Sequence, residues 1–365
     1  MISAEGYFPL SESAGGWRQI TGDDQLMDIA GISGHLLRGV ADSQQRTHAG
    51  FLWSIVVVLR GHVVLEVHSP AVLASTRFDL WSGTKSFTAT AWGILLDSLR
   101  RDLPMGEALS LDDPIYDLIP GGIPLTDPNK ADITLRHLLS MTSGIPGEKS
   151  GLHNTPTSAS AGAFEHALGR SPNRHGKWAA ELSSTPGTAW DYSDPAYLHL
   201  SPLFKVVAGC EIAEYMQTQV FAPIGVEQAS WDAQGGGDLA GPHTVAQTGL
   251  HVSVRDLARF GYLMLHRGVW GDRRLVPDWW IDESTRPSQP HNPEYGLGWW
   301  VNSGGTTWPS APLDTFALAG MLSNRCYVLP SLELVIARVG NGPQSWNDRE
   351  LLDGVLGAME PNAQT

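Results

Sequence analysis

The chain has 365 residues, 42% of them hydrophobic and 17% charged, an ordinary globular balance with length for one large or two modest domains. Its formal net charge of −14 argues against nucleic acid or an anionic membrane surface as a partner. No apolar run approaches the length of a membrane-spanning helix, so no membrane partner is expected.

The first stretch, "MISAEGYFPLSESAGGWRQ", has neither a basic n-region nor an apolar h-region. A cytoplasmic location is therefore the expectation, although a secreted chain with its signal removed would read the same way. "LWSIVVVLRGHVVLEVHS", residues 52–69, gives two β-branched runs around Arg60 and Gly61, a hairpin. A helix follows from near Ser82, with Phe87, Ala91, Ile94, Leu95 and Leu99 at helical spacing. "ITLRHLLSMTSGIPG" reads as a short helix with Thr134 at its N-cap. Residues 145–190 are rich in Gly, Ser, Pro and Thr and look loop-dominated.

"DPAYLHLSPLFKVVAG", "EIAEYMQTQVFAPIG" and "SVRDLARFGYLMLHRG" read as successive helices; Ser253 and Asp256 open the third as a capping box with Asp in place of Glu or Gln. Beyond them "YGLGWWVN", "TFALAGML", "NRCYVLP" and "LELVIARVGN" read as strands, and "RELLDGVLGAME" as a closing helix. The simplest assembly is α+β: one antiparallel sheet built from both ends of the chain and flanked by helices, with a mostly helical domain inserted. The expected division is 1–100 plus 250–365 for the sheet domain and 101–249 for the helical one, with an active site at their interface.

Two cysteines, Cys210 and Cys326, exclude a disulfide framework; two free buried thiols are expected, with one long-range bridge as the alternative. The histidines form no HExxH and no His/Cys zinc spacing, so neither a metal nor a cofactor is expected. The high tryptophan count reads first as core packing, with some rings free to line a pocket.

"WSGTKSFTA", residues 81–89, poses a problem of charge. It places Lys85 in the first turn of a helix, where the macrodipole already carries partial positive charge. Of the five lysines only Lys85 has a serine three residues before it. Positions i and i+3 share a helix face, so Ser82 and Lys85 lie side by side. A neutral lysine there can take the serine proton, and the helix N-terminus can stabilise developing negative charge. Read alone, the pair is a serine cap beside a solvated lysine; the preceding hairpin and following apolar run favour the chemical reading. "GTAWDYSDPAY" adds Tyr192, which near a cationic lysine can lose its proton at reduced cost and act as base or shuttle. Read alone, Asp194 before Pro195 is a helix start.

These motifs, with "LSLDDPIYDLIP", "VFAPIGVEQASW", "YGLGWW" and "YVLPSLELVIARVGNG", make the chain resemble the serine β-lactamase-related superfamily over about 53–342. That group holds class C β-lactamases, family VIII esterases, D-aminopeptidases and aminohexanoate-oligomer hydrolases, and the chain looks more like its esterase and oligomer-hydrolase side. The resemblance implies a β-lactamase/penicillin-binding-protein-like fold and a catalytic set of Ser82, Lys85 and Tyr192. Tyr192-Ser193-Asp194 stands where the family has Tyr-x-Asn. "FALAGML" aligns Leu318-Ala319-Gly320 with the family's Lys-Thr-Gly or His-x-Gly strand, which implies an oxyanion hole from the N–H groups of Ser82 and Met321 and close substrate approach at Gly320. By itself Gly320 is a bulge or a close-packed strand glycine.

Two departures follow. Leu318 replaces a basic or polar residue that helps hold a β-lactam carboxylate, with only Arg325 near in sequence. Asp194 replaces Asn; as a pure acceptor it would hold Lys85 as an ammonium, shift the base role toward Tyr192, and could accept from a substrate N–H or ammonium. His251 is a candidate second-layer residue and Trp81 a candidate pocket wall, while His243 reads as structural. The expected activity is a cofactor-free serine hydrolase cleaving a small ester or amide through an acyl-enzyme on Ser82. The alternatives are an acyltransferase using the same intermediate, a β-lactamase or D-peptidase, and a non-catalytic binder. The substrate and the oligomeric state are not readable; pocket shape rests on the loops at 145–190 and 285–315.

Overall fold

The computed structural model describes residues 6–104, 106–149, 162–173, 176–234, 242–342, 347 and 349–359. The loop-rich reading of 145–190 therefore falls partly, at 150–161 and 174–175, outside the described residues.

β1 (Trp53–Leu59) and β2 (His62–His68) form the hairpin read from the sequence. It turns at Arg60 and Gly61, with φ of 50° and 76°. Two left-handed positions in succession match the twist of the flanking strands. β3 (Trp300–Val301), β4 (Phe316–Gly320), β5 (Asn324–Leu329) and β6 (Leu334–Gly340) supply the rest of a six-stranded sheet in the order β3-β4-β5-β6-β1-β2. Every neighbour is antiparallel, and β1 meets β6 from Trp53 opposite Gly340 to Leu59 opposite Leu334. Early and late chain thus join in mid-sheet, as expected.

Both sheet faces are covered, so every residue of β1 is buried. Val56 and Val58 enter one apolar layer; Trp53, Ile55, Val57 and Leu59 enter the other, as the two-residue strand period requires. The second layer is closed by α1 (Gly34–Thr47) and by a C-terminal helix, Arg349–Ala358, whose Leu351, Leu352 and Val355 are buried. The sequence reading left α1 unassigned: it turns inward only Gly34, Leu37, Val40 and Gln44, too few apolar positions to mark a face.

The first layer is built on α2 (Thr84–Asp102). Of the periodic face, Phe87, Ala91, Ile94 and Leu95 are buried and Leu99 is partly buried. Burial goes further, since Thr84 to Leu96 are buried without a break. A helix enclosed on all sides needs its polar side chains satisfied. Thr88 Oγ1 donates to the Ala246 carbonyl (2.7 Å), Ser86 Oγ to that of Gly298 (2.6 Å) and Thr90 Oγ1 to that of Ser86 (2.8 Å).

Around α2 stand a short helix at Leu135–Leu139 with its Thr134 capping box, then α3 (Asp194–Leu198), α4 (Leu200–Ala208) and α5 (Val254–Leu265), N-capped by Ser253. "YGLGWWVN" yields only the two residues of β3 as strand. The cause is Gly298 (φ 78°): a Cβ there would lie 2.9 Å from the Lys85 carbonyl and 2.9 Å from the Tyr197 hydroxyl. The segment turns to press on α2 instead of extending. Both cysteines are free; Cys326 is buried and Cys210 partly exposed. Among the described residues no helix is long and apolar enough to cross a membrane, and no cluster of three or more His, Cys, Asp or Glu is placed to hold a metal.

Gly93 lies mid-way along α2, where alanine would ordinarily gain about 1 kcal/mol of helix propensity. A Cβ there would sit 2.2 Å from two ring carbons of Trp280, itself fully buried. Displacing a packed indole costs about 1–3 kcal/mol or more, so the clash wins. Gly93→Ala is expected to lower the melting temperature by several degrees in calorimetry; an unchanged or raised value would contradict the packing.

Candidate active site

The chain reaches Ser82 through a strained turn. Phe78–Asp79 pair with a short strand at Leu250–Val252, and Asp79 Oδ1 then accepts from the N–H of Trp81 (2.8 Å) and of Gly249 (3.1 Å). Burial pushes the Asp79 carboxyl above its usual range, opposed by these N–H donors and by His251. Trp81 sits at φ 50°, a left-handed conformation a bulky side chain adopts only when its surroundings enforce it. A single 3-10 turn, Trp81–Gly83, leads into α2. Ser82 thereby stands at the head of a buried helix.

Lys85 is 1% exposed, and a buried ammonium needs partners. Three oxygens surround Nζ: Ser82 Oγ at 2.9 Å, the Gln247 carbonyl at 3.2 Å and Asp194 Oδ1 at 2.7 Å. The serine hydroxyl and the Gln247 carbonyl accept hydrogen bonds from Nζ, and Asp194 contributes as an ion pair. The faces of Tyr192 and Tyr197 lie 4.8 and 5.6 Å from Nζ. Asp194 is free to turn toward Lys85 because it is not the cap of α3. Ser193 is the cap: its Oγ accepts from Ala196 N (3.1 Å) and donates to the Pro146 carbonyl (3.1 Å).

Tyr192 completes the group, its ring 4.8 Å from Lys85 Nζ. Its ring lies 6.4 Å from Trp300 at 18° and edge-on to Tyr295 at 6.3 Å, part of an aromatic wall that continues to Trp190. The sequence suggested that Lys85 eases Tyr192 ionisation. The surroundings act the other way: burial pushes the phenol well above its usual range, the Asp194 carboxylate adds to this, and the Ser82 hydrogen bond and Arg325 only partly oppose it.

Gly320, at the end of β4, lies against the serine turn. A Cβ there would sit 1.9 Å from the Leu80 carbonyl and 3.1 Å from Gly83 N, so close approach, not a bulge, explains this glycine. Met321 follows it and is 43% exposed at the rim. Leu322 and Ser323 then take left-handed φ of 59° and 69°. The turn is held by fully buried Arg338, which donates to the Leu322 and Ser323 carbonyls, and by Asn324, which donates to that of Met321. Leu318 is fully buried, its position against Gly83. Arg325 Nη1 donates to the Gly320 and Asn324 carbonyls, both at 2.9 Å.

The remaining expected residues stand further back. Trp81 is partly buried beside Ser82. His251 is paired across the short strands with Asp79 and has its Nε2 3.3 Å from Asp232, so it meets the serine turn through Asp79. His243 is structural, with Nδ1 3.2 Å from Glu211 and its ring edge-on to Phe164. The sequence did not flag the Gln247 carbonyl, Asp79, or the brace of Arg338 and Asn324. Only Asp79 left a signal, an Asx residue two before a turn. A second serine-histidine-acid set, Ser54, His68 and Glu66, joins β1 to β2, but Ser54 is 1% exposed and closed to substrate.

The family model described as Beta-lactamase matches residues 26–358. A curated relative, a candidate D-alanyl-D-alanine carboxypeptidase of Salmonella heidelberg, is 21% identical, with 80% of this chain and 79% of that protein covered. Two solved structures are similar. One is a candidate beta-lactamase of Bacteroides dorei, at TM-score 0.69 and 18% identity, covering 90% of this chain and 99% of the other. The second is a candidate 6-aminohexanoate-dimer hydrolase of Bacillus anthracis, at 0.67 and 16%, covering 98% and 89%. At these identities the likeness is one of fold, a β-lactamase/penicillin-binding-protein-like fold.

Gly320→Ala must push β4 away from the serine turn, since a methyl cannot share space with the Leu80 carbonyl. Expected are a roughly 100-fold or greater loss in kcat/KM on any substrate turned over, and a loss of about 1–3 kcal/mol of stability in urea unfolding. Wild-type kinetics in the alanine variant would show that β4 is not held this close.

Proposed function

The chain belongs to the Beta-lactamase family, and from that premise we propose that it is a serine hydrolase cleaving a small ester or amide through an acyl-enzyme on Ser82. One observation carries this reading: Lys85 Nζ lies 2.9 Å from Ser82 Oγ at the head of α2, with the Tyr192 ring 4.8 Å from the same Nζ. A candidate nucleophile stands beside two groups able to move its proton.

In the proposed reaction Ser82 Oγ attacks the substrate carbonyl carbon and its proton leaves on the Lys85 side. The amides of Ser82 and Met321 hold the oxyanion. Tyr192 begins as a neutral phenol, because burial and Asp194 oppose its ionisation. It therefore has a proton to give, and it protonates the departing alkoxide or amine. Lys85 then restores the phenol proton. Water enters the acyl-enzyme by the same steps in reverse and frees Ser82.

The substrate class follows from β4. The resemblance aligns Leu318 with a residue that helps hold a β-lactam carboxylate, and Leu318 is apolar and fully buried, which supports neutral acyl groups over β-lactams. The aromatic wall of Trp190, Tyr192 and Trp300 offers an apolar surface beside the serine. The named activity of the Bacillus anthracis neighbour, on a linear amide, supports testing amides beside esters.

Ser82→Ala is expected to abolish turnover of a short-chain p-nitrophenyl ester, and wild-type protein quenched during turnover should show the acyl mass on Ser82. An active alanine variant would overturn the reading. In parallel assays, esters or linear aminohexanoate amides should be turned over, with no detectable hydrolysis of a chromogenic cephalosporin; the reverse pattern would reject the Leu318 argument.

A further inference from the structure

The oxyanion hole proposed for this site takes one donor from the end of β4, the N–H of Met321. A peptide N–H cannot be aimed independently of the carbonyl in the same unit. The Gly320–Met321 peptide is planar and trans, so its C=O and N–H point in opposite directions. Whatever grips the Gly320 carbonyl therefore sets the line along which Met321 N–H points. That carbonyl accepts from Arg325 Nη1 at 2.9 Å, and the same nitrogen donates to the Asn324 carbonyl at 2.9 Å.

The need for a grip follows from the glycine. Position 320 cannot carry a Cβ, because one would lie 1.9 Å from the Leu80 carbonyl. A glycine leaves the peptide that follows it freer to swing than another residue would. The chain beyond is itself under constraint, since Leu322 and Ser323 take left-handed φ of 59° and 69°. Their carbonyls are held by Arg338 Nη1 at 3.1 and 2.9 Å, and the Met321 carbonyl by Asn324 Nδ2 at 2.7 Å. Within this set Arg325 acts on the peptide that contains the N–H itself. It lies on β5 opposite Ala319, next to the pairing of Gly320 with Asn324, so its side chain has only to fold back along the ladder.

Resting on the Ser82 reading, we propose that Arg325 is a positioning residue: through the Gly320 carbonyl it aims and polarises the Met321 N–H that receives the oxyanion. The guanidinium makes a charge-assisted bond to the carbonyl oxygen. That bond draws electron density along the peptide and leaves its N–H a stronger donor. As Ser82 Oγ bonds to the acyl carbon, the π pair of the substrate carbonyl moves onto its oxygen, and Met321 N–H meets that charge without having to turn. Arg325 touches neither the substrate nor the reacting atoms in this role. Its Nη1 serves main-chain carbonyls, where the sequence left it as a nearby cation for a substrate carboxylate.

The test compares two electrophiles that differ in one atom. In a p-nitrophenyl thionoester the charge develops on sulfur, a larger and weaker acceptor, so a well-aimed oxyanion hole favours the oxygen ester. In Arg325→Leu, kcat on the p-nitrophenyl ester is expected to fall roughly 10–100-fold, less than for complete loss of an oxyanion donor, with KM changed less than about twofold. The ester-to-thionoester ratio of kcat/KM is expected to fall about tenfold. A general loosening of the fold lowers both rates together, so an unchanged ratio overturns the proposal. A loss confined to KM for a carboxylate-bearing ester, p-nitrophenyl hemisuccinate, also overturns it, because Arg325 would then be binding substrate. Where Arg325→Leu does not fold, Arg325→Gln removes the charge and shortens the reach. The same fall in ratio is expected there, and an unchanged ratio again overturns the proposal. Absence of an acyl adduct on wild-type Ser82 would instead remove the hydrolase reading.

Discussion

A positive charge buried at the head of a helix is the constraint from which the site's arrangement follows. Lys85 is placed where the macrodipole opposes it and water cannot reach it. Its compensation comes from three separate segments: Ser82 in the preceding turn, the Gln247 carbonyl from the chain running to the short strand at Leu250–Val252, and Asp194 from α3. Removing one partner of a buried pair typically costs about 3–5 kcal/mol, enough to dictate how these segments pack. Lys130 makes the contrast. It is equally buried but held by Thr126 Oγ1 and the Leu168 and Ala179 carbonyls, all neutral, and burial pulls it down to about 8. Lys85 differs in having a carboxylate in contact.

The serine is fixed from the opposite side by backbone. Asp79 ties Trp81 N and Gly249 N together, which holds Trp81 in its left-handed conformation and brings the 244–250 segment alongside α2. β4 then closes on the turn at Gly320, with a gap too small for a methyl group. Arg338 and Asn324 hold the left-handed residues after Met321 through main-chain carbonyls. The parts of the site that must be placed to a fraction of an ångström are thus main-chain groups, each held by a buried polar side chain.

Those parts were hidden in the sequence. The hairpin, most strands of the late chain, the Thr134 and Ser253 caps and the pairing of Ser82 with Lys85 were legible because local rules govern them: alternation, capping and the i, i+3 face; Tyr192 came from the resemblance. The Gln247 carbonyl was not, because any residue offers one. α1 escaped because few of its residues turn inward. Tyr192 was misjudged in its ionisation because spacing reveals a neighbouring lysine but not the burial that outweighs it. Asp194 was placed beside Lys85 by the resemblance, and its Oδ1 lies 2.7 Å from Nζ; that Ser193 rather than Asp194 caps α3 was not legible, because Asx-Pro is a common helix start.

The exchange of roles between Ser193 and Asp194 has a consequence for charge. An Asn at position 194 would leave the positive charge of Lys85 uncompensated at 1% exposure, whereas the Asp194 carboxylate, 2.7 Å from Nζ, balances it inside the protein.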